Sequence, residues 1–219
     1  MKVPLLADDL AAGDIMLRLR LPGGDNTIFT HVIAKAQKLL GGSNPNVTHA
    51  GVMSDKIHMI EALSGGLTAS NIRVQNKRTP YAVFRCNAPN IARGAGTAAQ
   101  MLRDIHRQGK KTRRGRGVFS YNWFGAPKSL FGSGSGRAKN ADQFDDLLEK
   151  VLSGRGNNPL ICSQFVAFVY QMVAVQNGLP GDTYIKGRDA KVTPSRLTAL
   201  LNNSAHFTLV GYMASNIRD

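Results

Sequence analysis

Three residues of this chain have the types and spacing that nucleophilic and acid–base chemistry requires: His49, Glu61 and Cys162. An imidazole exchanges protons near neutral pH, and a carboxylate beside it fixes the tautomer and stabilises the protonated ring. A thiol becomes a nucleophile when it loses its proton, which a neighbouring imidazolium or the start of a helix favours. Together the three side chains indicate a covalent mechanism in which sulfur attacks a carbonyl carbon.

His49 and Glu61 belong to one predicted hairpin, THAGVMSDKIHMIEA at 48–62. If Met53 pairs with Ile57 across the turn, the same register places His49 directly opposite Glu61, with Cβ atoms roughly 5 Å apart. Glu61 has apolar neighbours, and a carboxylate buried without a partner is costly, so His49 is the partner this register offers. The alternative interpretation of His49 is a core histidine that is hydrogen-bonded inside the sheet.

Cys162 begins a second predicted element, an apolar helix that continues to a stop at Asn177-Gly178. The unsatisfied N–H groups of a first helical turn favour a thiolate and can also hold the oxyanion of a tetrahedral intermediate. The alternative is that Cys162 extends the buried stripe of this helix, since cysteine is among the most buried residue types.

The remaining periodicity predicts an α+β domain with an antiparallel sheet of four or more strands, covering 1–219 as a single unit. Alternating apolar positions predict strands at 14–20, 69–74, 81–86 and 207–213. Apolar residues at helical spacing predict helices at 27–40, 97–107, 140–152 and 194–201.

A basic, Gly/Ser-rich stretch at about 108–139 interrupts this pattern and predicts a surface insertion, because its composition cannot form a packed core. The basic run at 103–116 is interpreted as a solvated surface, or as a docking site for an anionic polymer or membrane. The formal net charge of +14 favours anionic partners in general. Nucleic-acid binding ranks lower, since no nucleic-acid fold signature accompanies the run.

The cysteines and histidines indicate no metal site and no organic cofactor. Cys86 and Cys162 form neither a disulfide framework nor a metal-binding pattern, although one bridge between them remains an alternative. The five histidines contain no HExxH spacing. Cys86 is predicted to be core, His58 to point away from Glu61, and His106 and His206 to lie in polar surroundings.

The N-terminal stretch 1–14 meets acidic residues before an apolar run of signal-peptide length develops. No stretch approaches the 18 apolar residues that a membrane span needs. The sequence therefore predicts a soluble chain that is made in the cytoplasm, without a transmembrane segment.

Four short motifs occur in an order that resembles a known family: Gly13-Asp14, Thr48-His49-Ala50-Gly51, Ile60-Glu61-Ala62 and Cys162-Ser163. This order is similar to that of the circularly permuted, NlpC-type branch of the papain-like cysteine amidases and peptidases. Histidine and acid precede cysteine, the reverse of papain's order, as a permutation implies. The resemblance implies a papain-like fold in which an antiparallel sheet packs against the helix bearing the nucleophilic cysteine.

The resemblance also implies roles for the three residues and a class of substrate. Cys162 would be the nucleophile, His49 the general base and then the acid, and Glu61 the residue that orients the ring. Family members cleave amide bonds in peptidoglycan peptides, whereas the related lecithin:retinol acyltransferase-like branch acts on acyl lipids. Amide hydrolysis is the expected function; a lipid-directed thiol esterase or acyltransferase, a nucleic-acid-binding module and a catalytically dead scaffold are the alternatives.

Members of this superfamily include antibacterial effectors that type VI secretion injects into target cells. The resemblance therefore implies secretion machinery and a cognate immunity protein as partners, and the periplasm of a target cell as the place of action. Such a route agrees with the missing signal peptide. Two further residues match family positions: Asp14, whose plainer interpretation is a turn carboxylate, and Tyr121, which would line the cleft.

Overall fold

Six strands in this computed structural model pair into one antiparallel sheet, in the order β4-β3-β2-β1-β5-β8. The structure describes residues 4–19, 47–63, 66–75, 79–112, 119–120, 158–159, 162–186 and 192–213. The strands are β1 (Ile15–Leu19), β2 (Val47–Met53), β3 (His58–Leu63), β4 (Gly66–Asn71), β5 (Tyr81–Cys86), β6 (Phe119–Ser120), β7 (Asn158–Pro159) and β8 (Phe207–Met213). Strands β6 and β7 form a separate parallel pair.

Both faces of the sheet are covered, because its strands alternate two sets of apolar side chains. In β1, Ile15 and Leu17 belong to the larger apolar cluster, while Met16 between them belongs to a smaller one. The larger cluster also contains the buried side chains of the helices, and the smaller one includes Leu10 from the N-terminal segment. The alternating strand patterns at 14–20, 81–86 and 207–213 are confirmed to within a residue at each end.

Within the described residues, four α-helices accompany the sheet: α1 (Ile72–Gln75), α2 (Pro89–Thr112), α3 (Cys162–Gln176) and α4 (Pro194–Asn202). Every residue of α3 from Cys162 to Val175 is buried, which is expected of a helix that is apolar on all sides. It is followed by Gly178 at φ +72°, the predicted stop. Helix α4 also matches its prediction, and the side chain of Thr193 caps it by accepting a hydrogen bond from the backbone N–H of Arg196.

Helix α2 begins eight residues before the predicted 97–107 helix and also includes the first residues of the predicted insertion. Glycine weakens an isolated helix, but the two glycines near its start allow close packing here. A Cβ on Gly96 would lie 3.0 Å from the carbonyl oxygen of Met53, and one on Gly94 would lie 2.9 Å from Val173 Cγ1. The predicted start of this helix was therefore wrong because tertiary contacts of the two glycines, which the spacing of apolar residues does not show, allow the helix to begin earlier.

The strand predicted at 69–74 was also misplaced, because β4 ends at Asn71 and a helical turn follows. The side chain of Asn71 accepts a hydrogen bond from the backbone N–H of Arg73 at 3.0 Å, a local bond that favours a turn over further strand. The backbone N–H of Ile72 donates to Ile57 at 2.8 Å and holds this turn against the β2–β3 loop.

Asp14 is a turn carboxylate, as its plainer interpretation predicts. Its fully buried side chain accepts a hydrogen bond from the backbone N–H of Ala11 at 2.8 Å and a two-pronged pair from the Arg85 guanidinium at 2.7 Å. These contacts tie the start of β1 to β5.

The architecture is α+β, as predicted. No helix within the described ranges combines the length and the apolar character needed to cross a bilayer. The predicted helices at 27–40 and 140–152, Tyr121 and most of the insertion lie outside the described residues.

Candidate active site

His49 and Glu61 meet in a buried ion pair between two neighbouring strands. The ring Nε2 of His49 lies 2.6 Å from Oε2 of Glu61, and the two residues are 9% and 2% exposed. Little water can screen a pair at this depth, so each group strongly affects the protonation of the other.

The pairing register that joins them differs from the prediction by two residues. Glu61 lies opposite Gly51, and Met53 opposite Met59, so His49 and Glu61 are diagonal rather than direct neighbours. The carboxylate of Asp55 accepts the backbone N–H groups of both Ile57 and His58, which makes the loop longer than predicted. A two-residue shift keeps side chains on the same face, and so the predicted contact survives the wrong register.

A β-bulge next to His49 helps to aim its side chain. On the β1 side, His49 pairs with Arg18 and Val47 pairs with Leu19, which leaves Thr48 without a partner across the strands. Val47 belongs to the larger apolar cluster, as Ala50 does, although a regular strand would place positions 47 and 50 on opposite faces. Bulges of this kind often redirect a side chain beside a functional site.

Cys162 is the first residue of α3, and its side chain is hydrogen-bonded to His49. Since Glu61 occupies Nε2, the ring nitrogen left for the thiol is Nδ1. Cys162 is 2% exposed, as the alternative of a buried helix residue also predicts, but it belongs to neither of the two apolar clusters. Both cysteines are free, and the alternative of a Cys86–Cys162 bridge is wrong.

The protonation of His49 is governed by these two partners. Burial alone would lower the pKa of the ring, but hydrogen bonds to Cys162 and Glu61, together with electrostatic interaction with both side chains, raise its pKa to about 9. The ring is therefore an imidazolium at neutral pH, which is the form that stabilises an adjacent thiolate.

Glu61 is held from behind by residues that the sequence patterns did not single out. Burial raises the pKa of this carboxyl, but hydrogen bonds from His49 and Ser70, the charge of His49 and a hydrogen bond from Gln75 outweigh burial and lower it. Ser70 Oγ donates to Oε1, and Gln75 Nε2 donates to the same oxygen at 3.0 Å. Both residues are neutral and polar, so the only available signal was that they follow Glu61 on the next strand and turn.

The structure also describes three other histidines, His58, His106 and His206, together with Cys86. His58 points to the opposite face, as predicted, and contacts Asp55 at 2.9 Å. His206 is exposed, whereas His106 on α2 is 1% exposed. Cys86 belongs to the larger apolar cluster, as predicted. Among the described residues no group of His, Cys, Asp and Glu side chains is arranged to hold a metal ion.

A separate groove of about 570 Å³ lies beside α4 and contains none of the three site residues. Its lining includes Tyr184, Lys186, Arg196 and His206, and none of the described residues that line it is an aspartate or glutamate. Within the described part of the chain, neither Lys186 nor Arg196 forms a salt bridge through its side chain. The groove is therefore a local concentration of the positive charge that the composition shows.

The shifted pKa values predict how stability changes with pH. The pKa of His49 is raised from 6.5 to about 9, so its contribution is complete below pH 6.5 and is lost as pH rises through 9. The pKa of Glu61 is lowered from 4.5, so its contribution is present above that pH and is lost on acidification. We expect the urea midpoint to be highest between about pH 4.5 and 6.5 and to fall toward pH 9.

The control for this measurement is a second histidine beside a carboxylate. His49→Gln should lose the alkaline decline, whereas His58→Gln, which alters a half-exposed ring paired with Asp55, should retain it. An alkaline decline that is unchanged in His49→Gln would contradict the assignment.

Comparison of the chain with protein-family models, with curated proteins and with solved structures found no match.

Proposed function

We propose that this protein is a cysteine hydrolase of the amidase or endopeptidase type, in which Cys162, His49 and Glu61 act as a catalytic triad. One observation supports the proposal above all others: a single imidazole is hydrogen-bonded to a buried carboxylate and to a thiol at the first residue of a helix. Covalent acyl transfer requires a nucleophile in contact with a base, and a third group that orients the base. The antiparallel sheet packed against α3 is compatible with the papain-like architecture that the motif order resembles.

In the first half of the reaction, Nδ1 of His49 holds the proton that leaves the Cys162 thiol, and the sulfur attacks the carbonyl carbon of the substrate. A sulfur–carbon bond forms and the carbonyl π electrons move to oxygen. When the tetrahedral intermediate collapses, the carbon–nitrogen bond breaks and His49 gives its proton to the leaving amine. The product of this half is a thioester on Cys162.

In the second half, water attacks the thioester carbonyl carbon and passes a proton to His49. The sulfur–carbon bond then breaks, the acid product leaves, and the proton on His49 again balances the charge of the thiolate. Glu61 stays ionised throughout, because its role is to stabilise the imidazolium and to keep Nδ1 directed at sulfur.

The start of α3 offers a place for the negative charge that develops on the substrate oxygen. The first backbone N–H groups of a helix have no intrahelical acceptor, and the helix dipole adds partial positive charge there. Because Cys162 is itself the first residue of α3, a carbonyl group attacked by its sulfur would be within reach of these donors. We propose that they form the oxyanion site, whose loss in other hydrolases costs roughly 10²–10³ in rate.

We propose peptide amides of peptidoglycan as the substrate, since the net charge of +14 and the groove beside α4 favour an anionic polymer. Acyl-lipid esters are the alternative, because a thiolate attacks an ester carbonyl by the same steps. The resemblance to injected antibacterial effectors extends the proposal to action in the periplasm of a target cell.

The test is to incubate the wild-type protein separately with peptidoglycan, with phospholipid vesicles and with duplex DNA, and to analyse the products by mass spectrometry. The blank is the same protein after treatment with iodoacetamide. We expect new pairs of amino and carboxyl ends in the peptidoglycan sample alone, and lysis of cells that export the protein to the periplasm but not of cells that retain it.

Other outcomes point elsewhere. Released fatty acid or transferred acyl chains, lost after alkylation, would replace the amide by the ester substrate. Salt-sensitive DNA binding that alkylation does not change, without any product, would support a nucleic-acid-binding module and overturn the proposal.

A further inference from the structure

The two oxygens of Glu61 face different partners. Oε2 faces Nε2 of His49 at 2.6 Å, while Oε1 accepts hydrogen bonds from Ser70 and Gln75. Both donors to Oε1 come from one segment of chain, the edge strand β4 and the turn α1 that follows it. A carboxylate held on both sides in this way cannot rotate without breaking hydrogen bonds to a charged group, which are among the stronger ones in proteins.

The amide of Gln75 has a direction that its own partners determine. Its nitrogen donates to Glu61 at 3.0 Å, and its oxygen accepts from the hydroxyl of Tyr81 at 3.3 Å. With the amide turned over, its oxygen would face the carboxylate and two acceptors would repel each other. The carboxylate of Glu61 therefore fixes the orientation in which Gln75 donates to it, and in that orientation the buried Tyr81 hydroxyl holds the amide by donating to its oxygen.

Tyr81 stays a donor over a wide range of pH. Burial, and then the negative charge of Glu61, raise the pKa of its hydroxyl to about 12. The hydroxyl proton consequently remains in place wherever His49 is charged. The hydrogen bonds form one chain. Tyr81 donates to Gln75, and Gln75 donates to Glu61. At the other end, the imidazolium of His49 also donates to Glu61.

We propose that Gln75, held in place by Tyr81, is a positioning residue that keeps Glu61 ionised and directed at His49 during catalysis. This inference rests on the proposed function, and it assigns to the reaction a residue that touches neither substrate nor sulfur. The amide acts through its single donated proton, so a group that donates in the same place should replace it, and a group that repels the carboxylate should not.

The test measures alkylation of Cys162 by iodoacetamide between pH 5 and 9, as a ratio to the wild type at each pH, because this readout needs no substrate. Gln75→Met, which has no donor, should lower the rate roughly tenfold at every pH, the factor expected for one lost bond to a charged group. Gln75→Glu should react almost as fast as the wild type at pH 5, where the introduced carboxyl is protonated and donates. The ratio of its rate to that of the wild type should fall roughly tenfold by pH 9, because two carboxylates in contact repel each other.

A second variant and a matched control keep the result interpretable. Tyr81→Phe retains Gln75 but frees its amide, so a smaller loss than in Gln75→Met is expected. Gln100 provides the control, since its amide also donates to a carboxylate, that of Asp104 at 2.9 Å, on an exposed face of α2. Gln100→Met and Gln100→Glu should leave both the rate and its pH dependence unchanged.

Different results would contradict the role of Gln75 and the proposed function. If Gln75→Glu and Gln75→Met show the same ratio to the wild type at every pH, or no loss, Gln75 is not a positioning residue. If Cys162 of the wild type reacts no faster than N-acetylcysteine at pH 6, the proposed function itself fails, whatever the Gln75 variants do.

Discussion

Cys162→Ala is expected to reduce hydrolysis to the level of the uncatalysed background, a loss of roughly 10⁵–10⁶-fold by comparison with other catalytic triads. Without sulfur no thioester can form, and the small cavity left at the start of α3 does not hold a nucleophile. Cys162→Ser should be almost as inactive, because a hydroxyl gives up its proton far less readily than a thiol. The measurement is the rate of product formation from the substrate identified by the mass analysis.

Cys86→Ala is the matched control for this loss. Cys86 is as buried as Cys162 but lies in the larger apolar cluster, where a smaller side chain costs stability and not chemistry. We expect the variant to keep the wild-type rate with a lower urea midpoint. Equal activity of Cys162→Ala and the wild type would exclude covalent catalysis at this thiol.

His49→Gln is expected to lower the rate by about 10⁴-fold, the upper end of what general acid–base catalysis contributes. The glutamine amide can still donate to Glu61, so the carboxylate is not left unpaired and the fold should persist. It can neither hold the thiol proton nor protonate the leaving amine. The wild-type rate should fall as pH rises through 9, because the pKa of His49 is about 9 and the proton needed by the leaving group is lost there.

The control is His58→Gln, on the opposite face of β3, which should retain both the rate and the alkaline decline. If the loss in His49→Gln is smaller than tenfold, another group must accept the thiol proton, and the assignment of His49 as general base would be wrong.

The sequence predicted the His49–Glu61 contact because parity, and not the register itself, decides which side chains share a face of a sheet. The register was wrong by two residues, since the hydrogen bonds from the backbone to Asp55 that shape the loop are not visible in an apolar pattern. Helix α3 was predictable for a different reason, because an almost unbroken apolar run of this length is expected to form a helix that is buried in the core.

The residues behind Glu61 could not be predicted in the same way. Ser70 and Gln75 are polar and neutral, so they do not stand out in a pattern of apolar residues. In addition, β4 ends in a turn that brings Gln75 back toward the sheet. In the sequence, Tyr81 is an ordinary strand residue. Its hydroxyl bears on the site only because it lies 3.3 Å from the amide oxygen of Gln75. Such contacts depend on how the chain turns at Asn71, which local propensity described incorrectly.

The extra residue at Thr48 has a consequence for how this part of the chain can vary. The alternation of side chains between the two faces of the sheet shifts by one residue there. Before the bulge, Val47 therefore packs into the larger apolar cluster, and after it His49 contacts Glu61. Removing or adding one residue between them would force a choice, turning either the valine toward water or the imidazole away from its carboxylate. The length of this strand is therefore constrained as strictly as the identity of the histidine.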